Sequence, residues 1–151
     1  MGVVSIMKDS RLAEIKILLV DDNEHTLTLI TGILRGLGIR SILRATTVLD
    51  ALKPLRGQTV DLMISDLIME PVDGLTLVSL IRTGKDSPNP ALPIIVLSGH
   101  DDADSVKAAR EVGVDAYLTK PVSPQALYQH ILRVTRNCIP AAAALPAGAR
   151  P

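Results

Sequence analysis

The sequence predicts an α/β fold in which a doubly wound parallel sheet of five strands carries helices on both faces. Short apolar runs alternate five times with longer stretches of helical periodicity, the pattern of a sheet covered by helices. The first, third and fourth runs are apolar at almost every position, as strands buried on both faces must be, while the second is more mixed and suits an edge. At 151 residues the chain supports one core, burying roughly 65–70% of the surface its unfolded form would expose.

The strands are placed at Lys16–Val20, Arg40–Ala45, Val60–Ser65, Ile94–Ser98 and Ala116–Thr119. Between the first two, Glu24–Leu37 carries Leu27, Ile30, Ile33, Leu34 and Leu37 on one stripe and stops at Gly38, which suits a left-handed helix cap. Further helices are expected at Val48–Leu55, Leu75–Arg82, Ala103–Val112 and Pro124–Asn137, the last turning Leu127, Ile131 and Val134 inward. Gly84–Pro93, with three prolines, reads as a loop. The expected organisation is an extension over residues 1–14, one domain over 15–138, and an Ala/Pro-rich flexible tail over 139–151, free or leading to a further module.

Composition excludes several classes. The chain is 47% hydrophobic but has no Phe or Trp, so its core must be aliphatic. Sixteen basic residues balance sixteen acidic ones, which gives no electrostatic footprint for direct nucleic-acid binding or an anionic membrane. Cys138 stands alone, ruling out an internal disulfide or a cysteine-based zinc cluster and fitting a reducing, cytoplasmic setting. Met1–Ile15 lacks the apolar stretch of a secretory signal, Ile6 breaks a myristoylation pattern after Gly2, and no run approaches the ~20 apolar residues of a membrane span.

In an open parallel sheet, ligands bind beyond the carboxyl ends of the strands. Those ends carry Asp21-Asp22, Asp66, Ser98 and Lys120. Taken singly, each has a structural explanation: a helix cap for Asp21 or Asp22, a turn for Asp66, loop chemistry for Ser98, a solvated strand end for Lys120. Independent caps and turns have no reason to bring three acids, a hydroxyl and a cation to four ends of one sheet. Three converging carboxylates call for a cation, and an all-oxygen donor set suits Mg2+. A carboxylate beside such an ion can attack phosphorus, with a lysine and a hydroxyl stabilising the equatorial oxygens.

Asp21-Asp22, Asp66, Ser98-Gly99 and Tyr117-Leu-Thr-Lys120-Pro121 together resemble the motifs of the CheY-like response-regulator receiver family, over roughly residues 15–137. The resemblance implies a flavodoxin-like sheet in the order 2-1-3-4-5. It makes Asp66 the phosphoacceptor, and Asp21, Asp22, Asp66 and the Ile68 carbonyl the Mg2+ ligands. Ser98 becomes the switch hydroxyl, Lys120 the phosphate-contacting lysine, and Tyr117 the switch aromatic, which on strand position alone reads as a partly buried tyrosine. Movement of Ser98 would open space that Gly99 keeps free and Tyr117 fills. Asp73-Gly74 matches the turn into the third helix, and Lys120-Pro121 the dipeptide usually joined by a cis bond. The implied partners are a histidine kinase or histidine phosphotransfer protein upstream, and downstream a protein docking on the fourth helix, fifth strand and fifth helix. The implied activity is that of a phosphoacceptor with intrinsic autodephosphorylation, not a dedicated enzyme.

Two departures stand out. The family's Met-Pro is here Met69-Glu70-Pro71, and Ile68 is apolar where many relatives are polar, which with His100 bears on how water reaches the phosphoryl group. The rival readings are a haloacid-dehalogenase-type phosphatase, which needs an Asp two residues after its nucleophile where this chain has Ile68, and a receiver-like module that works without phosphorylation.

Overall fold

The computed structural model describes residues 9–66, 74–85, 87, 89–99 and 103–136. Its strands are β1 (Lys16–Val20), β2 (Ser41–Ala45), β3 (Leu62–Asp66), β4 (Ile94–Ser98) and β5 (Ala116–Thr119). All pair in parallel in the order β2-β1-β3-β4-β5. The helices are α1 (Glu24–Gly36), α2 (Val48–Gly57), α3 (Gly74–Thr83), α4 (Ala103–Val112) and α5 (Pro124–Val134). The doubly wound sheet with β2 at its edge is therefore present as expected. Gly74 opens α3, one residue before the predicted start, and α5 ends three residues before the predicted Asn137.

Strand alternation divides the core. Ile17, Leu19, Leu62, Ile64, Ile95 and Leu97 face Leu27, Ile30 and Leu34 of α1 and Leu127 and Ile131 of α5. The intervening Leu18, Val20, Met63, Ile94 and Val96 face Val48, Ala51 and Leu55 of α2 and Leu77, Val78 and Ile81 of α3, with Val112 of α4 packed against that cluster. Because both faces are covered, β1 after Lys16 and β4 before Ser98 are apolar at every position. α1 stops where expected: Gly38 has φ +107, and a Cβ there would lie 2.9 Å from the Asp9 carbonyl oxygen.

That contact belongs to an element the sequence reading left in the extension. Ser10–Glu14 forms a 3-10 helix capped by Asp9, and Leu12 is fully buried in the α1/α5 core. The packed unit therefore takes in residues 9–14. The Asp9 amide donates to the Leu37 carbonyl at 3.0 Å. Its carboxylate accepts from the Arg11 backbone N–H (2.9 Å), from the Arg11 guanidinium (2.6 Å at the shortest) and from the Tyr128 hydroxyl of α5 (2.8 Å). Led by the Arg11 hydrogen bond, these donors hold the Asp9 carboxyl at about 2, against an ordinary 3.8.

A depressed carboxyl pKa stabilises the fold above the unfolded value, and that stability is lost as pH falls through the folded value. Asp9→Asn is accordingly expected to cost about 1–2 kcal/mol near neutrality. The difference from the native chain should shrink from pH 4 towards pH 2, as read from urea unfolding at a series of pH values. A difference independent of pH over that range would refute the charge-based account of this contact.

Candidate functional site

Parallel register brings the predicted residues to one edge of the sheet. Asp21 follows β1 directly, Asp66 and Ser98 are the last residues of β3 and β4, and Lys120 follows β5. Val20 lies opposite Ser65, Asp66 opposite Leu97, and Ser98 opposite Thr119, so the four ends stand side by side. The cleft falls where the chain order reverses between β1 and β3, the place where an open α/β sheet binds its ligand.

Carboxylate oxygens of Asp21, Asp22 and Asp66 lie within 4.8 Å of one another. The Lys120 ammonium donates to Asp21 Oδ2 at 3.3 Å and to Asp66 Oδ1 at 3.2 Å. Asp21 and Asp66 are largely withdrawn from solvent, with side chains 4% and 13% exposed, whereas Asp22 is exposed. Burial pushes the Asp66 carboxyl above its ordinary value and Asp21 adds to the push, against the pull of Lys120. Burial alone would lower the Lys120 ammonium, but Asp66 and Asp21 outweigh it and leave it raised. Lys120 thus pairs with two of the three clustered carboxylates, Asp21 and Asp66, and the all-oxygen donor set of the three suits a divalent cation.

The helix-cap explanation for the aspartate pair does not hold, because Asn23 performs that task. Its side-chain oxygen accepts from the His25 and Thr26 amides at 2.8 and 3.2 Å, and Asp21 Oδ1 accepts from the Asn23 amide at 2.9 Å. Sequence reasoning passed over Asn23, although an Asn immediately before a Glu-led helix is a standard capping signal. Capping by Asn23 leaves the Asp22 carboxylate out of that task.

Ser98 is buried, and its carbonyl accepts from the Lys120 amide at 2.6 Å. The Lys120-Pro121 bond is cis. Tyr117 is half-buried, opposite Val96 and packed against the α2/α3 cluster. A Cβ built at Gly99 would meet nothing within 4 Å among the described residues, so the space beside this glycine is open. Ile68, Met69-Glu70-Pro71, Asp73, His100 and Cys138 lie outside the described residues. His25 is an exposed helix residue and His130 contacts Arg133 at 3.1 Å; neither joins the acidic cluster among the described residues. No helix among the described residues is long and apolar enough to cross a membrane.

Fold and cleft define a doubly wound α/β domain with an acidic cleft at its switch point, and the comparisons narrow it to a family. Residues 17–132 match the model of the response regulator receiver domain, and the chain belongs to that family. Receivers are signalling domains of two-component systems, not dedicated enzymes. The chain is 36% identical over 131 residues to transcriptional regulatory protein GlrR of Escherichia coli strain K12, covering 83% of this chain and 27% of GlrR. It is 33% identical to sensor histidine kinase GacS of Pseudomonas protegens, covering 80% of this chain and 13% of GacS. The chain thus spans about a quarter or less of these relatives. A similar solved structure is the receiver domain of sensor histidine kinase PA1611 from Pseudomonas aeruginosa PAO1, which carries a coordinated magnesium ion in its active-site cleft. The two share 26% identity with a TM-score of 0.71, over 80% of this chain and 97% of that one.

Proposed function

We propose that this domain accepts a phosphoryl group on Asp66 from a phosphohistidine of a histidine kinase or phosphotransfer protein, and thereby switches a surface that binds a downstream protein. The observation that carries this reading is the Lys120 ammonium shared between Asp66 and Asp21, beside Asp22. In the transfer, an Asp66 carboxylate oxygen forms the new bond to phosphorus, the donor's P–N bond breaks, and the imidazole leaves with that electron pair and takes a proton. Asp21, Asp22 and Asp66 fit a hard cation through their all-oxygen donor set, and would hold Mg2+ with the Ile68 carbonyl. When bound, Mg2+ offsets charge on the phosphoryl oxygens. Lys120 holds the Asp66 carboxylate in place and offers its ammonium to a phosphoryl oxygen. Ser98, buried at the adjoining strand end, donates a hydrogen bond once drawn towards the phosphoryl group.

The added charge then reaches Tyr117 through Ser98, altering the surface of α4, β5 and α5, where the downstream partner docks. Ile68 and His100 set how readily water removes the phosphoryl group, and the domain acts in the cytoplasm. The kinship with GacS, a sensor histidine kinase, and GlrR, a transcriptional regulator, supports placement between a kinase and an effector.

Incubation with Mg2+ and acetyl phosphate, followed by intact mass measurement, tests the reading. One base-labile phosphoryl adduct is expected on the native chain and none on Asp66→Asn. Absence of an adduct from the native chain, or its persistence in the variant, overturns the assignment.

A further inference from the structure

Large aliphatic side chains exposed to solvent are few in this fold, and two of the three among the described residues lie on the α2/α3 side, away from the α4/β5/α5 surface. Leu49 of α2 is 73% exposed and Leu80 of α3 is 42% exposed. On α2, Leu49, Leu52, Lys53 and Arg56 share one face by helical spacing. Leu52 and Arg56 line a groove of about 190 Å3 with Leu80, Ile81 and Lys85. Its floor is aliphatic and its rim is cationic. Lys53 is paired with Asp50 at 3.6 Å, but Arg56 and Lys85 are exposed and pair with no carboxylate among the described residues.

We infer that this groove binds an amphipathic segment of a partner protein, which inserts a bulky aliphatic side chain between Leu52 and Leu80 and sets acidic residues against Arg56 and Lys85. Charge selects the occupant: acidic residues on the segment would pair with the exposed Arg56 and Lys85, and a basic segment would be repelled by them. Helices in a parallel α/β domain run opposite to the strands. The groove, at the C-terminal ends of α2 and α3, therefore lies at the end of the molecule away from Asp21, Asp66 and Lys120. Binding there leaves the phosphoacceptor cleft open, so one chain can hold this partner and accept phosphate together.

Selection of a random peptide library displayed on phage against the whole chain tests the inference, with the best peptide mapped by backbone NMR shifts. The expected consensus pairs aliphatic residues three or four apart with neighbouring Glu or Asp, and its shifts cluster on α2 and α3. Leu80→Glu and the double variant Arg56→Glu/Lys85→Glu should each weaken binding at least 10-fold, and Lys-for-Glu exchange in the peptide should restore binding to the double variant. Circular dichroism and unchanged labelling by acetyl phosphate would show that both variants keep their fold. A consensus without acids, shifts on α4/β5/α5, or affinity indifferent to these substitutions overturns the inference. So does concentration-dependent dimerisation abolished by Leu80→Glu, which would assign the face to a second copy of the chain.

Discussion

Replacing Lys120 with Met is expected to slow phosphoryl acceptance from acetyl phosphate by about 10²–10³-fold, the usual effect of losing one preorganised donor to a developing anion. The same change should strengthen Mg2+ binding, because the ammonium now neutralising Asp21 and Asp66 competes electrostatically with a metal ion. In metal-free buffer the variant loses about 2–3 kcal/mol, since two mostly buried carboxylates are left facing each other without a cation. Mg2+ should return much of that stability. Time-resolved intact mass for the labelling, together with urea unfolding with and without Mg2+, separates the three effects. A lysine serving only as a solvated strand end would leave all three unchanged.

The site was legible because its chemistry is written at strand ends. Once β1, β3, β4 and β5 are aligned in parallel, Asp21, Asp66, Ser98 and Lys120 must converge, and the 3.2 Å contact between Lys120 and Asp66 joins residues 54 positions apart. The buried strands were equally legible: β1 and β4 have the predicted bounds, because burial on both faces leaves an almost unbroken apolar run, and the partly exposed edge strand β5 has them as well. β3 was shifted, since Val60 is buried but precedes the paired segment, so its apolar character overran the ladder. Asn23 was obscured by two neighbouring aspartates that suit the same capping role.

The segment before β1 was not legible for a different reason. A five-residue 3-10 helix with one leucine has no periodicity to detect, and its decisive partner, Tyr128, is 119 residues distant. Leu12→Ala tests what that segment contributes. Leu12 is fully buried among α1 and α5 side chains, so the substitution removes a core leucine and leaves a cavity. The expected cost is about 3 kcal/mol, a fall in Tm of about 6–12 °C. Leu12 leads into the amino end of β1, whereas Asp21 leaves its carboxyl end, five residues or about 17 Å further on. Labelling by acetyl phosphate well below the lowered Tm should therefore match the native rate. A dispensable extension would give a loss below about 0.5 kcal/mol, the ordinary effect of a surface substitution. A full loss of stability with normal labelling would establish residues 9–14 as part of the core, at the end of the sheet away from the chemistry.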